Sequence, residues 1–167
     1  MASVFAGRYT ASVDGPFVVF AIGMRINRLR ALRKWWPVVT AMPPMIETLN
    51  RHPEKGFLGA ESFVFWRGVM LLQYWRSFED LDRFARSPAD PHLEAWRRFN
   101  RAVGGSGEVG IFHETYLVQD GQYECVYGNM PRFGLAKAFA HERAVGNRET
   151  ARLRLNRPDD GSPVGSY

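Results

Sequence analysis

Three observations predict that the sequence forms an α+β fold. Segments rich in β-branched and aromatic residues alternate with segments that have the apolar spacing of amphipathic helices. Prolines and glycines separate these segments, as in 87-SPADP-91 and 104-GGSG-107. The length of 167 residues and the 46% hydrophobic content suffice for one good core. A single α+β domain is therefore expected.

The first predicted strand and helix occupy residues 17–50. The run 17-FVVFAIGMRI-26 begins with eight consecutive apolar positions, which is typical of a strand covered on both faces. The segment 35-WWPVVTAMPPMIETLN-50 has helical spacing, but Pro43 and Pro44 should kink or split the helix near Met42. Gly56 is expected to supply a left-handed cap after it.

Two strands and a second helical region follow. Residues 57–75 contain two strand-forming runs separated by Arg67 and Gly68, which predicts a hairpin. Ser77 should cap the next helix, with Asp80 in the position of a capping-box acid. The prolines of 87-SPADP-91 should interrupt this helix before 92-HLEAWRRFNRAV-103 resumes it.

The last predicted strand, 109-VGIFHETYLV-118, should turn at 120-DG-121 and return as 123-YECVYGNM-130. The order of elements is that of a ferredoxin-like βαββαβ sheet with an added C-terminal strand. One helix layer covers only one face of such a sheet. Since monomers avoid large exposed apolar faces, we expect two copies to pack their uncovered faces together as a homodimer.

The formal charge of +5 is concentrated in 25-RINRLRALRK-34 and 143-RAVGNRETARLRLNRP-158. The run 25-RINRLRALRKWW-36 could dock an anionic membrane surface or stack with nucleic acid. The favoured interpretation is a connector with solvated charges and Trp35 in the core. We therefore expect no nucleic-acid partner and no stable membrane insertion.

The single Cys125 excludes an intramolecular disulfide and fits a reducing compartment. The N-terminal MASVFAGRYT lacks the charged start and long apolar centre of a signal peptide. A cytoplasmic location is expected. Residues 137–167 are predicted to form a basic, Pro/Gly-rich extension that is partly mobile, above all in 158-PDDGSPVGSY-167.

A set of motifs occurs in a fixed order along the chain. The motifs are 17-FVVFAIGMRIN-27, 37-PVVTAMPPM-45, 73-QYWRSFEDLDRFAR-86, 92-HLEAWRRFNRAVG-104, 109-VGIFHETY-116 and 127-YGNMPRFGL-135. Together they resemble the fumagillin-type monooxygenase family of the dimeric α+β barrel superfamily, which also holds the antibiotic-biosynthesis monooxygenases. The likeness covers roughly residues 8–136, the predicted barrel domain. It implies a homodimeric barrel that oxidises a small apolar natural product of secondary metabolism, such as a terpenoid or polyketide.

The resemblance leaves two types of reaction chemistry open, one without a cofactor and one with haem. Antibiotic-biosynthesis monooxygenases use dioxygen without a prosthetic group, whereas chlorite dismutases, aldoxime dehydratases and haem-degrading enzymes of similar fold bind haem. No cofactor is predicted, and haem held by His92 or His113 is the alternative. A non-catalytic protein that binds an apolar ligand is a further alternative.

His113 and Glu114 are the candidate catalytic residues. His113 could act as a general base, because imidazole titrates near pH 6.5, and activate a phenol or enol for attack on dioxygen. The alternative is an interior imidazole that only makes a structural hydrogen bond. Because strand side chains alternate, the two neighbours face opposite ways and cannot form one acid–base dyad. His113 should group with Ile111, Thr115 and Leu117, and Glu114 with Phe112 and Tyr116.

Glu114 should need a partner if it is buried, because an unpaired carboxylate is costly in a low-dielectric site. Arg25 and Arg76 are the available cations, and such a pair would lock the register or a dimer. The expected pocket-lining aromatic residues are Tyr116 and Tyr127, then Trp75, Tyr74 and Trp96. The spacing of the four His and one Cys predicts no metal site, and no phosphate-binding glycine motif follows a strand.

Overall fold

A computed structural model describes residues 2–159. The chain forms two compact units, one of residues 18–116 and a smaller one that joins the segment up to Phe17 to the segment from Leu117 onward. The larger unit lies within the predicted barrel domain of residues 8–136. The elements are β1 (Phe5–Ser12), β2 (Phe17–Ile26), α1 (Leu32–Arg51), β3 (Phe57–Phe65), β4 (Gly68–Trp75), α2 (Phe78–Arg86), α3 (Pro91–Ala102), β5 (Val109–Val118), β6 (Tyr127–Met130), α4 (Leu135–Ala138), β7 (Ala140–Arg143) and α5 (Ala151–Arg154).

The larger unit contains a four-stranded sheet with the strand order β3-β4-β2-β5. Strand β4 pairs antiparallel with both β2 and β3. Helix α1 connects the first two strands of the unit, and α2 with α3 connects the last two. This is the predicted ferredoxin-like βαββαβ arrangement, with the second helix in two pieces. The hairpin predicted at Arg67 and Gly68 is confirmed, and Arg67 takes a left-handed backbone with φ of 64°.

Helix α1 is continuous over 20 residues, so the predicted break near Met42 is wrong. Pro43 and Pro44 lie on the exposed side of the helix. The carbonyl groups that lose their N–H donors there can bind water instead. In addition, the Thr48 hydroxyl donates to the Pro44 carbonyl at 2.9 Å.

The start of α2 is as predicted. The Ser77 side chain accepts a hydrogen bond from the Asp80 backbone N–H at 3.1 Å. The buried Asp80 carboxylate also pairs with Arg76 and Arg83, each at 2.9 Å. Gly56 has φ of 81° and lies against Asp80, where any side chain would collide with the carboxylate. The predicted left-handed Gly56 is confirmed, at the end of a 3₁₀ turn after α1.

Two apolar clusters fill the space between the sheet and its helices. The larger cluster centres on Trp75, which is fully buried and packs with Val18, Leu49 and Phe84. The smaller cluster joins Met24, Val103 and Val109 at the other end of the sheet. Trp35 packs against this smaller cluster, as expected from the sequence.

The smaller unit contains a three-stranded sheet with the order β6-β1-β7. Strand β1 was not expected from the sequence. Strand β6 pairs with β1, so the predicted hairpin between 109–118 and 123–130 is wrong although the chain does turn at Gly121, which has φ of 69°. The residues before β6 bond to β1 instead. The Thr10 hydroxyl donates to the Cys125 carbonyl at 2.7 Å, and the Val13 N–H donates to the Tyr123 hydroxyl at 2.8 Å.

The C-terminal segment contributes α4, β7 and α5 to this unit. Arg154 holds it together, since its Nε donates to Glu124 at 2.7 Å and its Nη1 donates to the carbonyls of Arg148 and Glu149. The stretch predicted to be mobile, 158–167, lies outside the described residues from 160 onward. Within residues 2–159, no helix has the length and apolar character needed to cross a membrane.

Candidate active site

The larger unit contains an apolar cavity of about 420 Å³, open to solvent, between β2 and β5 on one side and helices α1, α2 and α3 on the other. A volume of this size suits a small ligand. The cavity wall is mostly aliphatic and aromatic, and it includes two histidines from different elements. The lining residues used below are Phe20, Lys34, Asp82, His92, Trp96, Arg98, Phe99 and His113.

His113 reaches the cavity from β5. It lines the wall together with Ile111 and Thr115, which confirms that these alternate residues share one strand face. The Phe20 ring of β2 lies 5.7 Å from the imidazole, measured between ring centroids. His113 itself is exposed in the single chain, so it stands where the cavity meets solvent.

His92 reaches the same cavity from the first turn of α3. Its Nδ1 lies 3.1 Å from the Ala85 carbonyl oxygen in the last turn of α2. Because a carbonyl only accepts, Nδ1 carries the hydrogen, and the neutral imidazole then has its lone pair on Nε2. The Phe84 ring packs against it at a centroid distance of 6.1 Å.

The sequence favours His92 as a surface or helix-start residue, with haem ligation as the alternative, and does not predict that it lies beside His113. The sequence does contain a pattern that indicates the position of His92. His92, Trp96 and Phe99 follow the i, i+4, i+7 spacing of one helix face, and all three line the cavity. The His therefore belongs to the apolar stripe of the helix, which fixes the direction in which it points.

Charged groups are also present in the wall, and some of them are tied to neighbours. Lys34 forms an ion pair with Glu108, which also lies 3.9 Å from Arg28. The hydrogen bond from Lys34 holds the pKa of the Glu108 carboxyl below its ordinary value. Asp82 pairs with Arg86 at 2.8 Å. Arg98 is exposed on α3.

Glu114 lies on the opposite face of β5 and is exposed in the single chain. The Tyr116 hydroxyl donates a hydrogen bond to Glu114, and this bond raises the pKa of Tyr116. The suggested arginine partners make other contacts, since Arg76 binds Asp80 and Arg25 donates to Asn27. The carboxylate needs no cation because water solvates it.

The remaining predicted pocket residues occupy different places. Trp75 lies in the core, where its Nε1 donates to Gln73 at 2.9 Å, and it borders only a small inner cavity of about 40 Å³. Tyr74 is buried next to it in β4, facing the other way. Trp96 lines the main cavity and stacks on Phe99 at 5.6 Å. Tyr127 belongs to the smaller unit, where it pairs with Tyr9.

A second apolar cavity, of about 630 Å³, lies between α1 and strands β2, β3 and β4. It shares part of its wall with the histidine-lined cavity. The residues common to both are Ile22, Val38, Met42 and Ile111. The two spaces are therefore separated by one layer of side chains. Among residues 2–159 no cluster of three or more His, Cys, Asp or Glu side chains could hold a metal ion.

Comparison with known proteins places this geometry in context. The family model described as monooxygenase af470-like matches residues 17–135. Monooxygenase af470 of Aspergillus fumigatus is 30% identical, over 77% of this chain and 53% of the relative, so the chain spans about half the length of this curated relative. The crystal structure of an aldoxime dehydratase in complex with butyraldoxime has a TM-score of 0.61 at 19% identity, over 81% of this chain and 44% of that chain. The likeness to this crystal structure establishes the fold alone.

Proposed function

We propose, because the chain belongs to the monooxygenase af470-like family, that it oxidises a small apolar, electron-rich molecule in the cavity of about 420 Å³. One observation carries the proposal. His92 and His113 stand in the wall of the same apolar cavity, although one comes from a helix and the other from a strand. A terpenoid or polyketide of secondary metabolism is the proposed substrate type.

His113 is the proposed general base. It takes a proton from an acidic C–H, phenol or enol group of the bound substrate, and the resulting anion is electron-rich enough to react with dioxygen. For a substrate with an activated methylene, the protonated His113 returns the proton to the peroxide that forms. Loss of water then leaves a carbonyl group. The balance is CH₂ + O₂ → C=O + H₂O, and all four electrons come from the substrate.

His92 is the proposed positioning residue. Its Nδ1–H is held by the Ala85 carbonyl at 3.1 Å, so the Nε2 lone pair can accept a hydrogen bond from a substrate hydroxyl. The Phe20 and Trp96 side chains supply apolar area against which a ring system can lie. Their contact with the ligand also excludes water from the reacting anion.

Oxygen uptake with anthrone tests the proposal, because this small apolar ketone has an acidic methylene and an electron-rich enol form. We expect uptake with the intact protein and its loss in His113→Ala. His52→Gln is the matched control, since His52 is exposed and pairs only with Glu54 at 2.8 Å. Full uptake in His113→Ala would refute the role of His113. Binding without uptake for every electron-rich compound would favour the non-catalytic alternative.

A haem enzyme is the second candidate, and the geometry of His92 is the observation that favours it. A neutral imidazole whose Nδ1–H is held by a carbonyl is the form in which His binds iron through Nε2. Arg98 in the same wall is exposed and could pair with a propionate. Haem would supply redox chemistry there. A red shift and sharpening of the Soret band of added hemin, lost in His92→Ala and retained in His113→Ala, would establish this candidate.

A homodimer through the uncovered sheet face is the proposed assembly. Phe112 and Tyr116 stand exposed on that face of β5, at 39% and 52%. The Phe112 ring lies over Gly23, where a Cβ would come within 2.5 Å of it. Exposed large aromatic side chains that lie close together are typical of protein contact surfaces. Sedimentation equilibrium of the purified chain measures whether the dimer forms.

A further inference from the structure

One end of the larger unit carries a group of exposed apolar side chains, which we call the tryptophan rim. Its members come from the connector between β2 and α1, the first turns of α1 and the hairpin between β3 and β4. Exposure of such side chains to water is unfavourable in free energy unless another surface covers them. The members and their exposed fractions are Leu29 (57%), Leu32 (53%), Trp36 (55%), Val64 (87%) and Trp66 (82%).

Hydrogen bonds link the β3–β4 hairpin to the end of β2 and link the connector to α1. The Arg67 Nε donates to the Ile26 carbonyl at 2.9 Å, and the Ile26 N–H donates to the Arg67 carbonyl at 2.6 Å. Inside the connector, the Trp35 Nε1 donates to the Leu29 carbonyl at 3.0 Å. The hairpin turn is therefore held against the end of β2, where the connector begins.

The tryptophan rim continues the wall of the cavity of about 630 Å³. Val39, Pro43, Ile46 and Asn50 line this cavity from α1, spaced by four, three and four residues. The same spacing extended towards the N-terminus reaches Trp36 and Leu32, so all six positions share one helix face. Val64 belongs to both the rim and the cavity wall.

Positive charge lies on the connector side of the rim. Arg28, Arg30 and Arg33 are exposed in the connector and the first turn of α1. The nearby carboxylate, Glu108, is engaged by Lys34 and lies 3.9 Å from Arg28. The surface thus combines two exposed tryptophans and exposed aliphatic side chains with arginines, which is the composition that binds an anionic lipid–water interface.

We propose that the tryptophan rim and its arginines dock the protein on an anionic lipid bilayer surface, with the cavity of about 630 Å³ opening towards the lipid. Exposed Leu and Val side chains favour lipid over nucleic acid, because burial in hydrocarbon stabilises aliphatic side chains, whereas contact with bases or phosphates does not. A second copy of the chain is disfavoured as the occupant, since two-fold packing would place arginines against arginines.

The proposal does not depend on the chemistry of the histidine-lined cavity. If both hold, an apolar substrate can pass from the bilayer into the larger cavity and cross the shared wall of Ile22 and Met42 towards His113. Docking would then supply substrate that is nearly insoluble in water. Failure of one proposal leaves the other unchanged, because vesicle binding and oxygen uptake are measured separately.

Sedimentation with sucrose-loaded vesicles tests the docking, using phosphatidylcholine alone or mixed with phosphatidylserine. We expect binding to the mixed vesicles that weakens as salt is added. Arg30→Gln with Arg33→Gln should lower the partition constant by about 25-fold, because each arginine near an anionic surface contributes about fivefold. Trp36→Ser with Trp66→Ser should lower it by about tenfold or more.

Matched controls separate the rim from overall charge. Arg152→Gln with Arg157→Gln removes the same two charges from exposed positions of the smaller unit, and partitioning should change by less than about threefold. Circular dichroism confirms that each variant is folded. A larger loss in this control than in the connector variant would overturn the proposal, as would equal binding to vesicles with and without phosphatidylserine at low salt.

A second measurement uses variants that still bind. Vesicles with brominated acyl chains should quench the fluorescence of the intact protein. Trp36→Phe with Trp66→Phe should remove this quenching while sedimentation persists, and Trp96→Phe should retain it. Quenching that depends on Trp96 instead would contradict the proposal. Single-stranded oligothymidine can be added to test whether it displaces the protein from the vesicles. Displacement that is unchanged in the Trp→Ser variant would identify a nucleic-acid surface and would overturn the lipid-docking proposal.

Discussion

The two faces of strand β5 differ in what covers them, and this difference separates two neighbouring residues. His113 lies on the face covered by helices and lines an apolar cavity with His92. Glu114, the next residue, lies on the uncovered face and accepts a hydrogen bond from Tyr116. One position along a strand moves a side chain from a ligand-sized cavity to a solvent-facing sheet surface.

His113 and Glu114 are both ionisable, and they differ in what surrounds them. In the single chain the Glu114 carboxylate is exposed, accepts a hydrogen bond from Tyr116 and lines neither of the two large apolar cavities, so neither cavity would shield a substrate beside it from water. An imidazole at the mouth of an apolar cavity can contact a bound ligand and still exchange its proton with solvent. We therefore expect that, of the two residues, only substitution of His113 lowers the rate of reaction.

The largest expected effect is on turnover. His113→Ala should lower oxygen uptake with anthrone by about 100-fold to 10,000-fold, which is the usual contribution of a general base. Glu114→Gln should change it by less than about threefold, because Glu114 faces away from the cavity. The oxygen electrode measures both variants. Equal losses in the two variants would show that the two faces do not divide the chemistry in this way.

The next effect is on stability, and it also differs between the faces. Trp75→Ala should lower the free energy of unfolding by about 3–5 kcal/mol, because the indole is fully buried beneath the helices. Phe112→Ala on the uncovered face should cost less than about 2 kcal/mol in the monomer, since 39% of the side chain is exposed. Urea unfolding at low protein concentration gives both values. Similar costs would mean that the uncovered face is packed as tightly as the core.

Assembly gives a third contrast. Phe112→Asp should weaken the proposed dimer by about 100-fold or more, because two-fold symmetry buries the unpaired charge twice. The matched control is Val145→Asp in the smaller unit, where the side chain is 61% exposed. Sedimentation equilibrium measures the association constant. A Phe112→Asp protein that dimerises like the intact chain would place the interface elsewhere.

The smallest effect is electrostatic. The hydrogen bond to Glu114 raises the pKa of Tyr116, so this contact stabilises the fold at pH values below 10, the ordinary value, and is lost as the pH rises through the raised pKa. Glu114→Gln should return the pKa of Tyr116 towards its ordinary value. Ultraviolet titration of the tyrosinate, with Tyr116→Phe to identify its signal, checks this. An unchanged titration would show that the contact is absent in solution.

Local patterns in the sequence were enough to predict the sheet of the larger unit. Each of its strands and the Ser77 cap rests on residues close together in the chain, and the family inferred from the motifs is confirmed by the match over residues 17–135. The pairing of β6 was predicted wrongly because the turn at Gly121 favours a local hairpin. The long-range bonds of Thr10 and Val13 to residues 123–125 decide otherwise, and no local pattern encodes them.

The candidate site was predictable only in part. Alternation along β5 placed His113 and Glu114 on opposite faces, but which face the helices cover depends on tertiary packing. The continuity of α1 through Pro43 and Pro44 is likewise not predictable from the local pattern, which favours a break there. His92 became part of the site because α3 packs its apolar face on the cavity, which brings the imidazole to the Ala85 carbonyl.

The central claim is that an apolar ligand binds between His92 and His113, and NMR of histidine-labelled protein tests it most directly. The chain has four histidines, so His52 and His141 serve as internal references. Titration with anthrone should shift the imidazole signals of His92 and His113 with one common dissociation constant and leave the other two unchanged. Shifts confined to His52 or His141, or no shift at saturating anthrone, would contradict the account.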